Sequence, residues 1–171
     1  MKIKVEKDIE GSILDVGGGG EGIIGRIYGD AVTAIDLRAD ELNEAPEGPV
    51  KIVMDARQMD FRDEQFDHVT CFYSLMYMSR ADQVQVFREI RRVLRPGGRL
   101  SIWDAEFALA NPFIVELDID AAGIPVHTGY GVWKTDGLQS AELFSEALTA
   151  MGFSMVQSKV ADKQVYQCWQ K

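Results

Sequence analysis

The residues best able to do chemistry stand together near the start of the chain. Asp15-Val16-Gly17-Gly18-Gly19-Gly20-Glu21-Gly22 sets an acid, four consecutive glycines and a second acid between a strand-like segment and a helix-like one. Glycines turn the main chain through angles closed to other residues and let a ligand touch bare backbone; four in a row cost entropy that an empty loop need not spend. Gly17, Gly19 and Gly22 satisfy the G-x-G-x-x-G pattern of pyrophosphate-binding turns, and Asp36 follows at the spacing that pattern expects. Asp15 argues for a different ligand. A carboxylate two residues before the glycines repels a pyrophosphate and attracts an ammonium or sulfonium, and Glu21 inside the loop acts in the same sense.

Two more acids stand at matching places. Asp36 closes the run 31–36 (AVTAID), and Asp55 follows the run 50–54 (VKIVM). In open α/β sheets, ligands sit beyond the carboxyl ends of the strands. Asp36 there can accept both hydroxyls of a ribose. Asp55 can accept from the amino group of an adenine, with Ala56 leaving room for the ring. One such aspartate is as readily a turn residue or a helix cap. Acids at three successive strand ends are harder to assign to turns alone.

The elements that must position these residues are legible from periodicity. Residues 12–16 read as a first strand, and a helix over 20–29 carries Ile23, Ile24 and Ile27 on one face. After the second and third strands (31–36 and 50–54), residues 66–73 (FDHVTCFY) read as a fourth. The gap before the fourth is too short for a full crossover helix. Ser79 starts a helix with Val86, Phe87, Ile90, Val93 and Leu94 on one face, and Asp82 supplies a weak capping box. Pro96-Gly97-Gly98 should end that helix in a tight turn, before a fifth strand at 99–103 that ends on Asp104.

The last third departs from the alternation. Residues 113–119 and 124–132, joined by Ala121-Ala122-Gly123, read as a β-hairpin. A helix over 138–151, stopped by Gly152, and a terminal hairpin of 153–160 and 164–170 around Asp162-Lys163 complete the chain. The expected fold is α/β: a doubly wound, mostly parallel sheet with helices on both faces, in a single domain spanning 1–171.

Composition narrows the function. The 171 residues are 46% hydrophobic and 26% charged, as in ordinary soluble domains. No window is apolar enough for a membrane span, and MKIKVEKDIEGS lacks the apolar core of a signal peptide. A cytoplasmic protein with no membrane partner is expected. A net charge of -9 makes nucleic acid a poor partner. Arg88, Arg91, Arg92, Arg95 and Arg99 form a local exception, read as a solvated helix face. Cys71 and Cys168 read as core thiols, and with His68 and His127 they show no zinc spacing, so no metal is expected.

Taken together, these motifs resemble those of the class I S-adenosylmethionine-dependent methyltransferase family. ILDVGGGGEG (13–22) is similar to its motif I, AIDL (34–37) to motif II and MDARQMDF (54–61) to motif III. FDHVTCFYSLMYM (66–78) resembles the motif IV region, and RRVLRPGGRLSIWD (91–104) the helix-turn-strand after it. The chain departs from the family at Glu21, where the third glycine usually falls. The resemblance implies a seven-stranded sheet ordered 3-2-1-4-5-7-6 with strand 7 antiparallel, and an extra hairpin (about 112–132) after strand 5. It implies S-adenosylmethionine as cofactor, with contacts from Asp15, Gly17, Gly18, Gly19, Asp36, Leu37, Asp55, Ala56 and Phe72.

The acceptor is expected to be a small molecule lying over Phe72, Tyr73 and Ser74, with Tyr73, Tyr77 and Tyr130 as contacts. Asp104 and His127 are weak candidates for a catalytic base. The tetrapeptide of nucleobase amino methylases is absent after Phe72, where the sequence reads Tyr-Ser-Leu-Met. The short segment before the first strand leaves little room for a helical lid. The 112–132 hairpin is expected either to serve as a partial lid or to pair with a second copy as a homodimer. Two other readings stay open: a non-catalytic binder of S-adenosylmethionine or S-adenosylhomocysteine acting through a partner, and an NAD-dependent oxidoreductase.

Overall fold

A strand that the sequence pattern hides opens the chain in the computed structural model, which describes residues 1–108, 112–133 and 138–171. In chain order the elements are β1 (Lys2–Val5), β2 (Ile13–Val16), α1 (Ile23–Tyr28), β3 (Val32–Asp36), α2 (Ala39–Glu44), β4 (Val50–Val53) and β5 (Phe66–Phe72). They continue with α3 (Arg80–Val93), β6 (Leu94–Ala105), β7 (Phe113–Ala121), β8 (Ile124–Val132), α4 (Ala141–Ala150), β9 (Ser154–Ala161) and β10 (Gln164–Gln170).

Seven strands form the main sheet in the order β4-β3-β2-β5-β6-β10-β9. Contacts among β4, β3, β2, β5 and β6 are parallel, and β10 runs antiparallel to both β6 and β9. The mostly parallel α/β sheet expected from the sequence is present. All four residues of β2 are buried, as a strand covered on both faces requires. One core lies under α3 and α4 and includes Val86, Phe87, Ile90, Phe144, Leu148 and Trp169. The opposite face is covered by α1 and by a second, three-stranded sheet.

That small sheet has the order β1-β7-β8. The hairpin is present, with Ala121 opposite Ile124 across the turn, so the loop is Ala122-Gly123. β1 joins β7 in parallel, Lys2 beside Asp118 and Val5 beside Ala121. Alternation divides its residues sharply. Val5, Val115, Leu117, Ile119 and Val132 face a core shared with Ile23, Ile24 and Ile27. Glu116, Asp118 and Asp120 of β7 face outward. β1 escapes sequence reading because two apolar residues among lysines are too few to show a period.

One local expectation is corrected and another is refined. Pro96-Gly97-Gly98 is not a separate turn: β6 begins at Leu94, directly after α3. The glycines sit in a bulge, where pairing with β5 shifts between Phe66 and His68. A Cβ on Gly98 would lie 2.9 Å from the Arg95 carbonyl and 3.0 Å from that of Asp67, so the two strands approach too closely for any side chain there. In the arginine cluster Arg88, Arg91, Arg95 and Arg99 are exposed as expected, and Arg92 alone is half-buried. Arg92 donates to the carbonyls of Met59 and Phe61 at 2.8 and 2.7 Å, and to Asp63 and Glu89. It thereby pins the helix-free connection between β4 and β5 against α3. The capping expectation at α3 stands: the Ser79 hydroxyl accepts from the Asp82 amide at 3.1 Å and donates back to its carboxylate at 2.8 Å.

None of the described helices is long and apolar enough to cross a membrane. Cys71 and Cys168 are buried free thiols.

The small sheet should be part of the cooperative fold. Leu117 is fully buried on its inner face, and Leu117→Ala should cost about 2–5 kcal/mol with a single urea transition. A separate early transition, or no loss, would show the small sheet to be an independent flap.

Candidate functional site

Parallel pairing brings the carboxyl ends of β2, β3, β4 and β5 to one edge of the sheet, and a cavity of about 670 Å³ opens there. Its wall runs from Val16, Gly17 and Glu21 through Asp36, Leu37 and Arg38 to Met54, Asp55, Ala56 and Arg57. Phe72, Tyr73 and Ser74 form the floor, with Tyr77, Met78, Asp82 and Val86 to one side and Gly129 and Tyr130 of β8 to the other. The size and mixed polarity suit a nucleoside-sized ligand.

The glycine loop is held from behind. The amides of Gly17 and Gly18 both donate to the Ile35 carbonyl, at 2.8 and 3.1 Å, and that of Gly20 to the Glu41 carbonyl at 2.8 Å. Gly17 has φ +75°, and a Cβ on it would lie 2.4 Å from the Ser74 Cβ. Ser74 holds the same corner by donating to the Val16 carbonyl at 2.7 Å. Gly17 alone of the four successive glycines reaches the cavity wall. Gly18 is buried and Gly19 half-buried, and neither of these two expected contacts is in the cavity lining.

Asp15 lies behind the glycine loop. It is 2% exposed, lies outside the cavity lining and accepts from the Thr70 hydroxyl at 2.7 Å. Burial pushes its carboxyl up to about 7, against the opposing pull of Thr70. A Cβ on Gly18 would come within 2.7 Å of its Oδ2. The two-residue alternation that takes Val16 to the cavity rim turns Asp15 inward.

Asp36 and Leu37 do reach the wall, and Asp36 accepts from the Arg38 amide at 2.9 Å. Asp55 and Ala56 reach it too, but Asp55 is not free to serve an adenine alone. Arg57 Nε lies 3.0 Å from both of its oxygens and Nη2 2.7 Å from Oδ2, while Nη1 reaches Asp82 at 3.0 Å. The Arg57 guanidinium holds the Asp55 carboxyl below the usual carboxylate range. A ligand amino group at this tip must therefore share Asp55 with Arg57. The spacing Asp55-x-Arg57 was the available signal, and sequence reasoning passed over it.

The three expected aromatic contacts converge. Tyr73 stacks on Tyr130, centroids 5.1 Å apart and planes 10° apart, and Tyr77 lies at the mouth. Tyr73 has φ +49°, an uncommon angle for a non-glycine residue, and its buried hydroxyl has no partner among the described residues. Burial raises the phenols of Tyr73 and Tyr130 well above their ordinary range, so both stay protonated.

The β8 edge forms part of the wall. A two-residue loop makes Ala121 and Ile124 a hydrogen-bonded pair, so the main-chain groups of Gly129 and Gly131 point away from β7. The Gly131 amide accordingly faces the Tyr77 oxygen. On the inner face, the hydroxyls of Thr128 and Tyr130 both donate to the Glu21 carboxylate.

Both weak base candidates are removed from the site. His127 is on the outer face of β8, beside Asp118 at 2.9 Å and Glu116 at 3.7 Å. Strand alternation separates it from Thr128 and Tyr130. Asp104 is fully buried behind the cavity, where Oδ1 accepts from the Ala105 amide at 2.8 Å and from Gln139 at 2.6 Å. Its Oδ2 has no hydrogen-bond partner among the described residues, and burial pushes the carboxyl up to about 7.

The consequence for stability has a definite sign. An aspartate near 4 when unfolded and near 7 when folded binds more protons in the folded state between those values, so stability falls as pH rises through that window. Asp104→Asn should therefore gain on wild type between pH 5 and pH 8 in urea unfolding. Parallel curves for the two proteins would contradict a neutral Asp104.

Comparison with known proteins now adds to this geometry. The model of the methyltransferase domain family matches residues 14–102, just over half of the 171 residues. The chain is 33% identical over 102 residues to the sterol 4-C-methyltransferase strm-1 of Caenorhabditis elegans, covering 53% of this chain and 30% of that protein. It is 46% identical over 50 residues to methyltransferase GfsG of Streptomyces halstedii, covering 29% and 17%. The chain thus spans less than a third of either relative. The fold is shared with the PH0226 protein of Pyrococcus horikoshii OT3, at TM-score 0.71 and 18% identity over 95% of this chain and 83% of that one. A methyltransferase from Mesorhizobium loti gives TM-score 0.68 at 18% identity, over 96% and 93%. The matched segment runs from the glycine turn through the strand tips that line the cavity: the chain belongs to the class I S-adenosylmethionine-dependent methyltransferase family.

Proposed function

We propose that the protein transfers a methyl group from S-adenosylmethionine to a small-molecule acceptor by direct in-line displacement. The observation that carries this reading is one cavity holding Gly17, Asp36 and Ala56 at three neighbouring strand tips. When bound, the cofactor supplies an electrophilic methyl on a good leaving group. Asp36 would accept the ribose hydroxyls, Asp55 and Arg57 would together frame the adenine edge, and Met54, Ala56 and Met78 supply apolar contact for a ring. Phe72, Tyr73 and Ser74 close the floor, and Tyr77 and Tyr130 flank the space left for the acceptor.

The protein's contribution is then alignment and exclusion of water. The two expected bases lie outside the cavity lining, and the Tyr73 and Tyr130 phenols keep their protons. No general base is therefore assigned among these four groups, and the reaction rests on alignment of an acceptor nucleophile with the methyl group. The similarity to a sterol 4-C-methyltransferase supports a small-molecule acceptor. The β7–β8 hairpin, with Gly129 and Tyr130 in the wall, works as a side wall of its own site. An acidic wall of Glu21, Asp36, Glu41, Asp55 and Asp82 disfavours the pyrophosphate of a nicotinamide cofactor.

Titration calorimetry tests the cofactor. S-adenosylhomocysteine should bind and NAD(H) should not, and Asp36→Ala should weaken the first by about 10–100-fold, as for loss of hydrogen bonds to a charged group. Binding of NAD(H) alone would overturn the reading. Mass-spectrometric detection of methylated product from a small-molecule panel tests turnover. Tight binding with no product from any class of acceptor would favour the non-catalytic alternative.

A further inference from the structure

The acids of the cavity wall divide by their partners. Asp55 and Asp82 are both paired with Arg57, at 2.7 and 3.0 Å, and Glu41 is paired with Arg38 at 3.1 Å. Asp36 and Glu21 have no cationic side chain against their carboxylates among the described residues. Arg26 lies close to Glu21, but its Nε donates to the Glu21 main-chain oxygen at 2.6 Å. The Glu21 carboxylate is oriented instead by two neutral donors, the Thr128 hydroxyl on Oε1 and the Tyr130 hydroxyl on Oε2. Neutral donors fix direction without cancelling charge, and each carboxylate oxygen keeps further acceptor capacity. A carboxylate so placed on a partly enclosed wall favours a cation. Asp36 stands at the ribose tip, which leaves Glu21 at the other limit of the wall.

Asp15, the acid first expected to meet a cation, is sealed behind the loop and outside the cavity. We propose that Glu21 binds the α-ammonium of the amino-acid end of the cofactor and, through Thr128 and Tyr130, couples cofactor binding to the β7–β8 hairpin. The inference rests on the cofactor reading above. Its structural basis is that one side chain of the glycine loop is held by two side chains of the strand that walls the acceptor space. Tyr130 is itself fixed by its stack on Tyr73, so a pull on Glu21 is felt at the floor as well. The departure at Glu21 from the third glycine of the motif thus has a role: it trades backbone freedom for a charged contact.

Two ligands that differ at the amino-acid end separate the claims. S-adenosylhomocysteine carries the ammonium; 5′-methylthioadenosine lacks it. By calorimetry, Glu21→Gln should weaken the first by about tenfold or more, as expected for a charge-assisted hydrogen bond, and change the second by less than about twofold. Hydrogen exchange of the β8 amides at 128–131 should slow with S-adenosylhomocysteine in wild type, and not with methylthioadenosine. The Thr128→Val/Tyr130→Phe variant should lose that slowing. Equal loss of both ligands in Glu21→Gln, unchanged affinity for both, or exchange that responds alike to both overturns the proposal. If wild type binds neither ligand, the cofactor reading falls first and this one with it.

Discussion

Everything at the cavity depends on the parallel register of β2 with its two neighbours. Val16 lies opposite Ile35 on one side and Cys71 on the other, and Asp36 opposite Val53. That register sets Gly17, Asp36 and Phe72 just beyond one common line. Because side chains alternate along a strand, a slip of one residue would send every inward group outward. It would also break the pairing of Gly17 and Gly18 with the Ile35 carbonyl, which holds the glycine turn open on one side and packed on the other. The hydrophobic burial of Ile13, Leu14, Val16 and Ile35, all near 0% exposed, enforces the register.

The same constraint explains why the small sheet is where it is. The face of the main sheet over β2, β5 and β6 presents Ile13, Phe72, Trp103 and Ala105, and α1 is only six residues long. A helix that short leaves apolar surface uncovered. The inner row Val115, Leu117, Ile119 and Ala121 of β7, extended by Val5 of β1, covers it. Once placed for that reason, β8 has nowhere to run but past the glycine loop, and its inward residues Thr128 and Tyr130 meet Glu21. The wall of the cavity is thus a by-product of core coverage.

The main sheet was legible because each strand is a short apolar run closed by a glycine, an acid or a turn, and because helices separate them. Asp36, Ala56 and Phe72, expected near the strand ends, line the cavity, as does Tyr130 from the hairpin. The expected residues that lie off the cavity lining do so for identifiable reasons. Asp15, Gly18 and Gly19 were assigned from a motif, and a motif carries spacing without carrying the side of the turn on which each residue ends. His127 and Tyr130 lie on opposite faces of one strand, and hairpin register decides which goes in. Asp104 closes a strand as Asp36 does, but on the far side of β5, where Gln139 from beyond β8 covers it. Arg57 is legible only in part: Asp55 lies two residues away, but its second partner, Asp82, meets it only through the fold.

The acids around the site therefore follow three different physical regimes, although the sequence writes them alike. Asp15 and Asp104 lie in the core, where desolvation outweighs their few donors and pushes each carboxyl up to about 7. Asp55 is held charged by a guanidinium that encloses it. Asp36 and Glu21 stand on the wall oriented by neutral donors only. Repulsion among so many carboxylates would otherwise be a cost to folding. Burial that raises two carboxyls, and the pairing of Asp55, Asp82 and Glu41 with arginines, reduce that repulsion and leave Asp36 and Glu21 as the wall carboxylates with no cationic side chain against them among the described residues.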